Sequence, residues 1–190
     1  MSCCSSGPFN IVSPALPDCE SCHIERNGRR LHYLTTTSEN GNKPWRLFIL
    51  LHGVGSSCML WKDYIGFLKH RYFSMKDNFN IRIVVPDMFG HGQSTKTSAK
   101  SDYDFSEMVK DISSLFGEEM TSCDKAVLIG HSYGCSILSA LADQRQGQIF
   151  ALFFISPPPP IPLQPDDKLL YAPPCCFACL FPCMKISFRR

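Results

Sequence analysis

"AVLIGHSYGCSILSALA", residues 126–142, holds three textures in one short run. Four apolar residues, Ala126 to Ile129, read as a strand, and the stretch after Ser132 has the spacing of a helix. Between them, Gly130-His131-Ser132-Tyr133-Gly134 sets a glycine two positions either side of one serine. With the strand ending at Ile129 and the helix following directly, Ser132 occupies a sharp, strained turn. A Cβ two residues before or after it would collide with the neighbouring strand or helix, so both positions need glycine. The turn lifts the Ser132 hydroxyl above the carboxyl edge of a sheet, where open α/β proteins bind ligands. It also brings the free N–H groups of a helix N-terminus beside that hydroxyl. This is the context in which a serine of a Gly-x-Ser-x-Gly turn serves as a nucleophile.

Outward from this turn, the rest of the body alternates strands and helices. "CHIERNGRRLHYLTT" places Asn27-Gly28 between two alternating segments, a hairpin signal. "WRLFILLHG" (45–53) suits a strand buried on both faces of a parallel sheet. Trp61, Ile65, Leu68 and Tyr72 recur at helical spacing, "IRIVVPD" (81–87) is the next strand, and Phe105, Met108, Ile112 and Phe116 mark a second helix. "KAVLIG" leads into the turn, and "IFALFFIS" (149–156) is a further strand. A hairpin followed by strands with intervening helices predicts an α/β fold: an open, mostly parallel sheet with an N-terminal antiparallel hairpin. Residues 1–20 read as a flexible tail, 22–156 as the α/β core, and 157–190 as a separate Pro/Cys-rich segment.

The totals narrow the class. A chain of 190 residues, 44% hydrophobic and 19% charged, suits one globular domain with a substantial core. A net charge of +2 predicts no nucleic-acid partner. No apolar run reaches the ~18 residues of a membrane span. The first residues carry no basic n-region and no continuous apolar h-region, so they do not read as a signal peptide. The eleven cysteines are then expected as reduced thiols in a cytoplasmic setting. Cys19-Glu-Ser-Cys22-His23 formally matches a haem-attachment pattern, with nothing else to support it. Cys175, Cys176, Cys179 and Cys183 make a poor zinc set, because of the adjacent pair and the apolar neighbours. S-acylation at Cys3/Cys4 or at the Cys-rich end is the functional alternative for the thiols. No cofactor and no metal are expected.

A second piece accompanies Ser132. His52-Gly53-Val54-Gly55 directly follows the strand "LFILL". Backbone N–H groups of Val54 and Tyr133 are placed to hold the developing oxyanion of an acyl tetrahedral intermediate. Gly53 lets that loop approach closely. "LHGVGSS", "PDMFGHGQS" and "LIGHSYG", in that order and at these separations, resemble the α/β-hydrolase superfamily. The resemblance implies a serine hydrolase of carboxylic esters, with acylglycerols or phospholipids as the substrate class.

Several conspicuous residues read as having modest roles. His131 shapes the turn, and His52 stabilises its loop by hydrogen bonding. Asp87 and His91 offer an acid–base pair, but the resemblance implies that their loop is structural. Four prolines, 157–160, carry the chain into a lid whose start is "DDKLLYAPPCCFACLFPCMKISF" (166–188). Its apolar residues are expected to face an acyl chain, a membrane surface or a lipid droplet. Such hydrolases order their triad Ser, then Asp or Glu, then His. The histidines here are His23, His32, His52, His70, His91 and His131, and none follows Ser132. The sequence therefore reads as the N-terminal part of a hydrolase, inactive alone. A non-catalytic binding protein on the same fold is the alternative. An epoxide hydrolase or dehalogenase is disfavoured, because those relatives use Asp where this chain has Ser132.

Overall fold

The computed structural model describes residues 18–39, 41–73 and 79–158. The N-terminal strands β1 (Glu20–Arg26) and β2 (Arg29–Ser38) form the expected hairpin. Its two-residue turn has φ of 50° at Asn27 and 76° at Gly28, the left-handed pair that matches strand twist. β3 (Trp45–Leu51), β4 (Asn80–Pro86), β5 (Lys125–His131) and β6 (Ile149–Ile155) follow. The sheet order is β1-β2-β4-β3-β5-β6, with β2 antiparallel to β1 and β4 and every later pairing parallel. Parallel neighbours need crossovers, and the helices supply them: α1 (Lys62–Phe73), α2 (Phe105–Glu119) and α3 (Tyr133–Gln144).

The period of two along β3 divides the core. Leu47, Ile49 and Leu51 face one way and pack with Met108, Ile112 and Phe116 of α2 and Ile137, Leu138 and Leu141 of α3. Phe48 and Leu50 face the other way, against Trp61 and against Ile65 and Leu68 of α1. Helices thus cover both faces, which is why this strand reads as one continuous apolar run.

Some expectations shift in detail. β5 runs two residues past Ile129, so no loop separates the strand from Ser132. Phe105, expected on the buried stripe of α2, is exposed and sets its ring edge-on to that of Tyr133, 6.1 Å between centroids. Cys19 packs on the α1 side of the sheet and Cys22 on the opposite side, so the two do not converge on a shared ligand. The Tyr72 side chain, most of the N-terminal tail, Cys175 to Cys183 and the lid segment lie outside the described residues. β6 is an edge strand among the described residues, with Phe150, Phe153, Phe154 and Ile155 exposed.

One polar cluster that the sequence did not announce clamps the hairpin to α2. Arg29 donates from Nη2 to Asp111 Oδ2 at 2.6 Å, Arg26 from Nε to Asp111 Oδ1 at 2.8 Å, and Asp111 is 1% exposed. Arg29 also lies over the Phe89 ring, 3.6 Å from its centroid. A buried carboxylate demands partners, and two guanidinium groups meet that demand.

Candidate active site

Ser132 stands at φ 50°, ψ −123°, a conformation that costs on the order of 1–3 kcal/mol for a residue with a side chain. Two backbone bonds hold it there. Its own N–H donates to Ile155 O at 3.0 Å, and Cys135 N–H donates to Ser132 O at 2.9 Å. Ser132 precedes the first turn of α3, yet its side chain makes no capping hydrogen bond. The hydroxyl is therefore not consumed by the helix it introduces.

The two glycines have measurable reasons. A Cβ on Gly130 would lie 2.8 Å from both N and Cα of Cys135, in the first turn of α3. A Cβ on Gly134 would lie 2.5 Å from Leu51 O and 2.6 Å from His52 O, at the end of β3. These are backbone atoms, which cannot step aside as a flexible side chain can. Gly53 belongs to the same contact: a Cβ there would fall 2.8 Å from Ser132 Cβ. The loop after β3 thus lies directly against the serine. Gly55 turns that loop with φ 76°, and Val54 between the glycines is 70% exposed. Tyr133 begins α3 beside the serine and is half-buried, and burial raises its hydroxyl above its ordinary pKa.

The nearby histidines have their own occupations. His52 is fully buried; Nδ1–H donates to Gly53 O at 2.7 Å, and Nε2 accepts Met88 N–H at 3.0 Å. Burial lowers its pKa to about 4, against a smaller raising effect from the Gly53 bond, so the ring is neutral. It ties the Gly53 loop to the loop after β4. His91 donates from Nδ1 to Phe89 O at 3.0 Å. His131 is the exception: its Nδ1 is buried without a hydrogen-bond partner among the described residues, and a Cβ on Gly53 would lie 3.3 Å from it. No hydrogen bond joins any of these rings to the Ser132 hydroxyl among the described residues.

Asp87 does not pair with His91. Its Oδ2 lies 2.8 Å from His32 Nδ1, and it accepts N–H groups from Cys58 at 2.6 Å and Gln93 at 2.9 Å. Sequence reading missed His32, although a histidine inside an alternating strand, opposite an acid closing an apolar one, is the kind of buried polar pair that needs a partner. His32, Cys58 and Asp87 bring candidate ligand atoms within 4.8 Å of one another. They already have partners within the protein: both Asp87 oxygens accept hydrogen bonds, one of them from His32 Nδ1, and burial raises the Cys58 thiol above its ordinary pKa.

Fold and serine turn together define the class, and the comparisons agree. Residues 46–174 match the alpha/beta hydrolase fold family, and the chain belongs to it. Among curated proteins, it is 29% identical over 155 residues to protein ABHD8 of Homo sapiens, covering 81% of this chain and 33% of that one. It is likewise 29% identical over 153 residues to epoxide hydrolase 4 of Mus musculus, covering 80% and 38%. The chain spans about a third of the length of the curated relatives it matches first. Among solved structures, the thioesterase domain from the curacin biosynthetic pathway superposes with a TM-score of 0.62 at 21% identity, over 80% of this chain and 52% of that one. An epoxide hydrolase from Vigna radiata gives 0.59 at 26%, over 80% and 42%.

Proposed function

We propose that this chain carries the nucleophile and oxyanion hole of a serine hydrolase of carboxylic esters, with acylglycerols or phospholipids as the substrate class. The observation that carries the reading is the strained, uncapped Ser132, with Gly53 packed against its Cβ. Ser132 Oγ attacks the ester carbonyl, and the N–H groups of Val54 and Tyr133 receive the oxyanion. The alcohol leaves, and water then releases the acyl group. Both steps need a base, and no histidine follows Ser132 in these 190 residues. Removing the histidine of such a triad costs about 10⁶-fold in kcat and leaves about 10³–10⁴ over water. The 190-residue chain on its own is therefore expected to bind esters and turn them over poorly.

A fluorophosphonate probe tests the nucleophile in a version carrying the further residues of its relatives. Label is expected at Ser132 and lost at that position in Ser132→Ala; a Ser132 peptide that stays unlabelled overturns the reading. The lack of a histidine bonded to Ser132 among the described residues favours a second reading, a binding protein that keeps the pocket. Ester binding without label in the extended version would establish it.

Peripheral attachment to membranes or lipid droplets is proposed from Phe177, Leu180, Phe181 and the neighbouring cysteines, which lie outside the described residues. None of the described helices is long and apolar enough to cross a membrane. One acyl chain gives only marginal attachment, so a second signal is needed. Fractionation with and without hydroxylamine checks this: release by hydroxylamine supports it, and soluble behaviour with no acyl exchange at any cysteine overturns it.

A further inference from the structure

A second serine has the partners that Ser132 lacks among the described residues. Ser21, on β1, is exposed, and its Oγ lies 3.0 Å from Nε2 of His32 on the neighbouring strand. The other nitrogen of that ring, Nδ1, lies 2.8 Å from Asp87 Oδ2. His32 and Asp87 are 0% and 1% exposed. Their protons can be assigned from the partners. Burial would raise the Asp87 carboxyl, but hydrogen bonds from His32 and from the N–H groups of Cys58 and Gln93 outweigh it and hold the pKa below its ordinary value. Asp87 is thus an ionised carboxylate, which only accepts. Nδ1 of His32 must then carry a proton, and in the neutral form of the ring the Nε2 lone pair accepts the Ser21 hydroxyl. A serine on Nε2, a carboxylate on Nδ1 and backbone N–H groups fixing that carboxylate make up the base side of a serine nucleophile. The other titratable groups against the ring are His23, 5.2 Å between centroids, and the Cys58 thiol.

We propose that Ser21 is a second nucleophilic serine of this protein, acylated or phosphonylated through His32 and Asp87 by small activated esters. In that step the bond from Oγ to the carbonyl carbon or phosphorus forms as the bond to the leaving group breaks. The Oγ proton passes to His32 Nε2 and from there to the departing group, and no redox change occurs. Nothing at Ser21 resembles the Ser132 turn. It sits within a regular strand, its backbone is not in the left-handed region, and no helix begins beside it. The product ester is therefore expected to persist, which makes the reaction a single-turnover modification rather than hydrolysis.

The inference does not rest on the reading of Ser132, and the experiment removes that residue. The full 190-residue chain carrying Ser132→Ala is treated with a fluorophosphonate, and labelling rates are followed by peptide mapping. Ser21 is compared with the exposed Ser106 in the same molecules. A positioned general base gives on the order of 10²-fold or more. Ser21 is expected to label about 100-fold faster than Ser106, and His32→Gln to bring it to the Ser106 rate. Equal rates at Ser21 and Ser106 overturn the proposal, as does unchanged Ser21 labelling in a folded His32→Gln chain. If His32→Gln does not fold, the ratio of Ser21 to Ser106 in the Ser132→Ala chain decides alone.

Discussion

Ser21 lies on β1 and Ser132 just past the end of β5, four strand steps across one sheet, roughly 19 Å measured across the strands at the usual ~4.8 Å spacing. Each has half of what a serine nucleophile uses. Ser132 has backbone devices: a strained turn, a helix N-terminus, and a glycine loop against its Cβ. Ser21 has side-chain devices: a buried imidazole and a buried carboxylate in line. The difference teaches where each device comes from. Strain and a helix N-terminus arise where a parallel strand turns sharply into a helix. A buried His–Asp pair arises where hairpin and sheet must satisfy polar groups inside a core.

The widest break in this comparison is Asp87→Ala, because Asp87 serves the Ser21 side directly and neighbours the other. It leaves His32 Nδ1–H, Cys58 N–H and Gln93 N–H without their acceptor. The two buried donors, His32 Nδ1–H and Cys58 N–H, cost about 1–3 kcal/mol each when orphaned, and Gln93 N–H at the exposed side turns to water, so the expected loss is about 4 kcal/mol in urea unfolding. A loss under 1 kcal/mol would mean that water replaces the carboxylate, and the pair would no longer count as a buried base.

Gly134→Ala sharpens the contrast from the Ser132 side. Its Cβ would meet two carbonyl oxygens at 2.5 and 2.6 Å, and neither belongs to a movable side chain. The expected cost is about 3 kcal/mol, with α3 displaced from the end of β3. Fluorophosphonate labelling at Ser132 should fall in this variant while labelling at Ser21 stays as it was. Equal falls at both serines would show that one collapse of the sheet, not two independent devices, governs them.

These two variants also mark how much was legible in the sequence. Gly130, Ser132 and Gly134 could be read because the constraint is local: five consecutive residues must turn a strand into a helix. The strand order was not spelled out, but the alternation of elements was enough for the class of sheet. The Ser21–His32–Asp87 line was illegible because its parts are 11 and 55 residues apart and meet only after β2 pairs with both β1 and β4. The Arg26–Asp111 and Arg29–Asp111 bonds span 85 and 82 residues and were missed for the same reason. Phe105 was misassigned because helical spacing fixes a face, not how far the covering sheet extends along it.

Acid should strain the Ser132 side first. His52 braces the Gly53 loop as a neutral ring, and burial holds its pKa at about 4 against an ordinary 6.5. Between those values the unfolded chain takes up a proton that the folded chain refuses. The contribution is therefore fully present above pH 6.5, declines as the pH falls through the window, and is gone below about 4. Its size is on the order of 3 kcal/mol. Urea unfolding from pH 7 to pH 4 is the measurement, and His52→Gln should flatten the slope. An unchanged slope in that variant would place the acid sensitivity elsewhere.

The smallest expected effect is that of Ser21→Ala. Ser21 is an exposed residue, so removing its hydroxyl deletes one part-buried hydrogen bond and buries no new apolar surface. His32 Nε2 loses its partner, but the vacated position opens to solvent and water can donate in its place. The backbone of β1 keeps its pairing with β2, because Ser21 contributes to the ladder through N–H and C=O groups that alanine also has. A stability loss of about 1 kcal/mol or less follows. Reactivity should respond quite differently, since fluorophosphonate label at position 21 disappears altogether while label at Ser132 is unaffected. That split is what separates a nucleophile from a strut. A serine whose main task was to hold His32 in place would cost several kcal/mol when removed, and its loss would loosen the Asp87 loop. Urea unfolding and peptide mapping on one preparation read both quantities together. A loss above about 2 kcal/mol would recast Ser21 as structural.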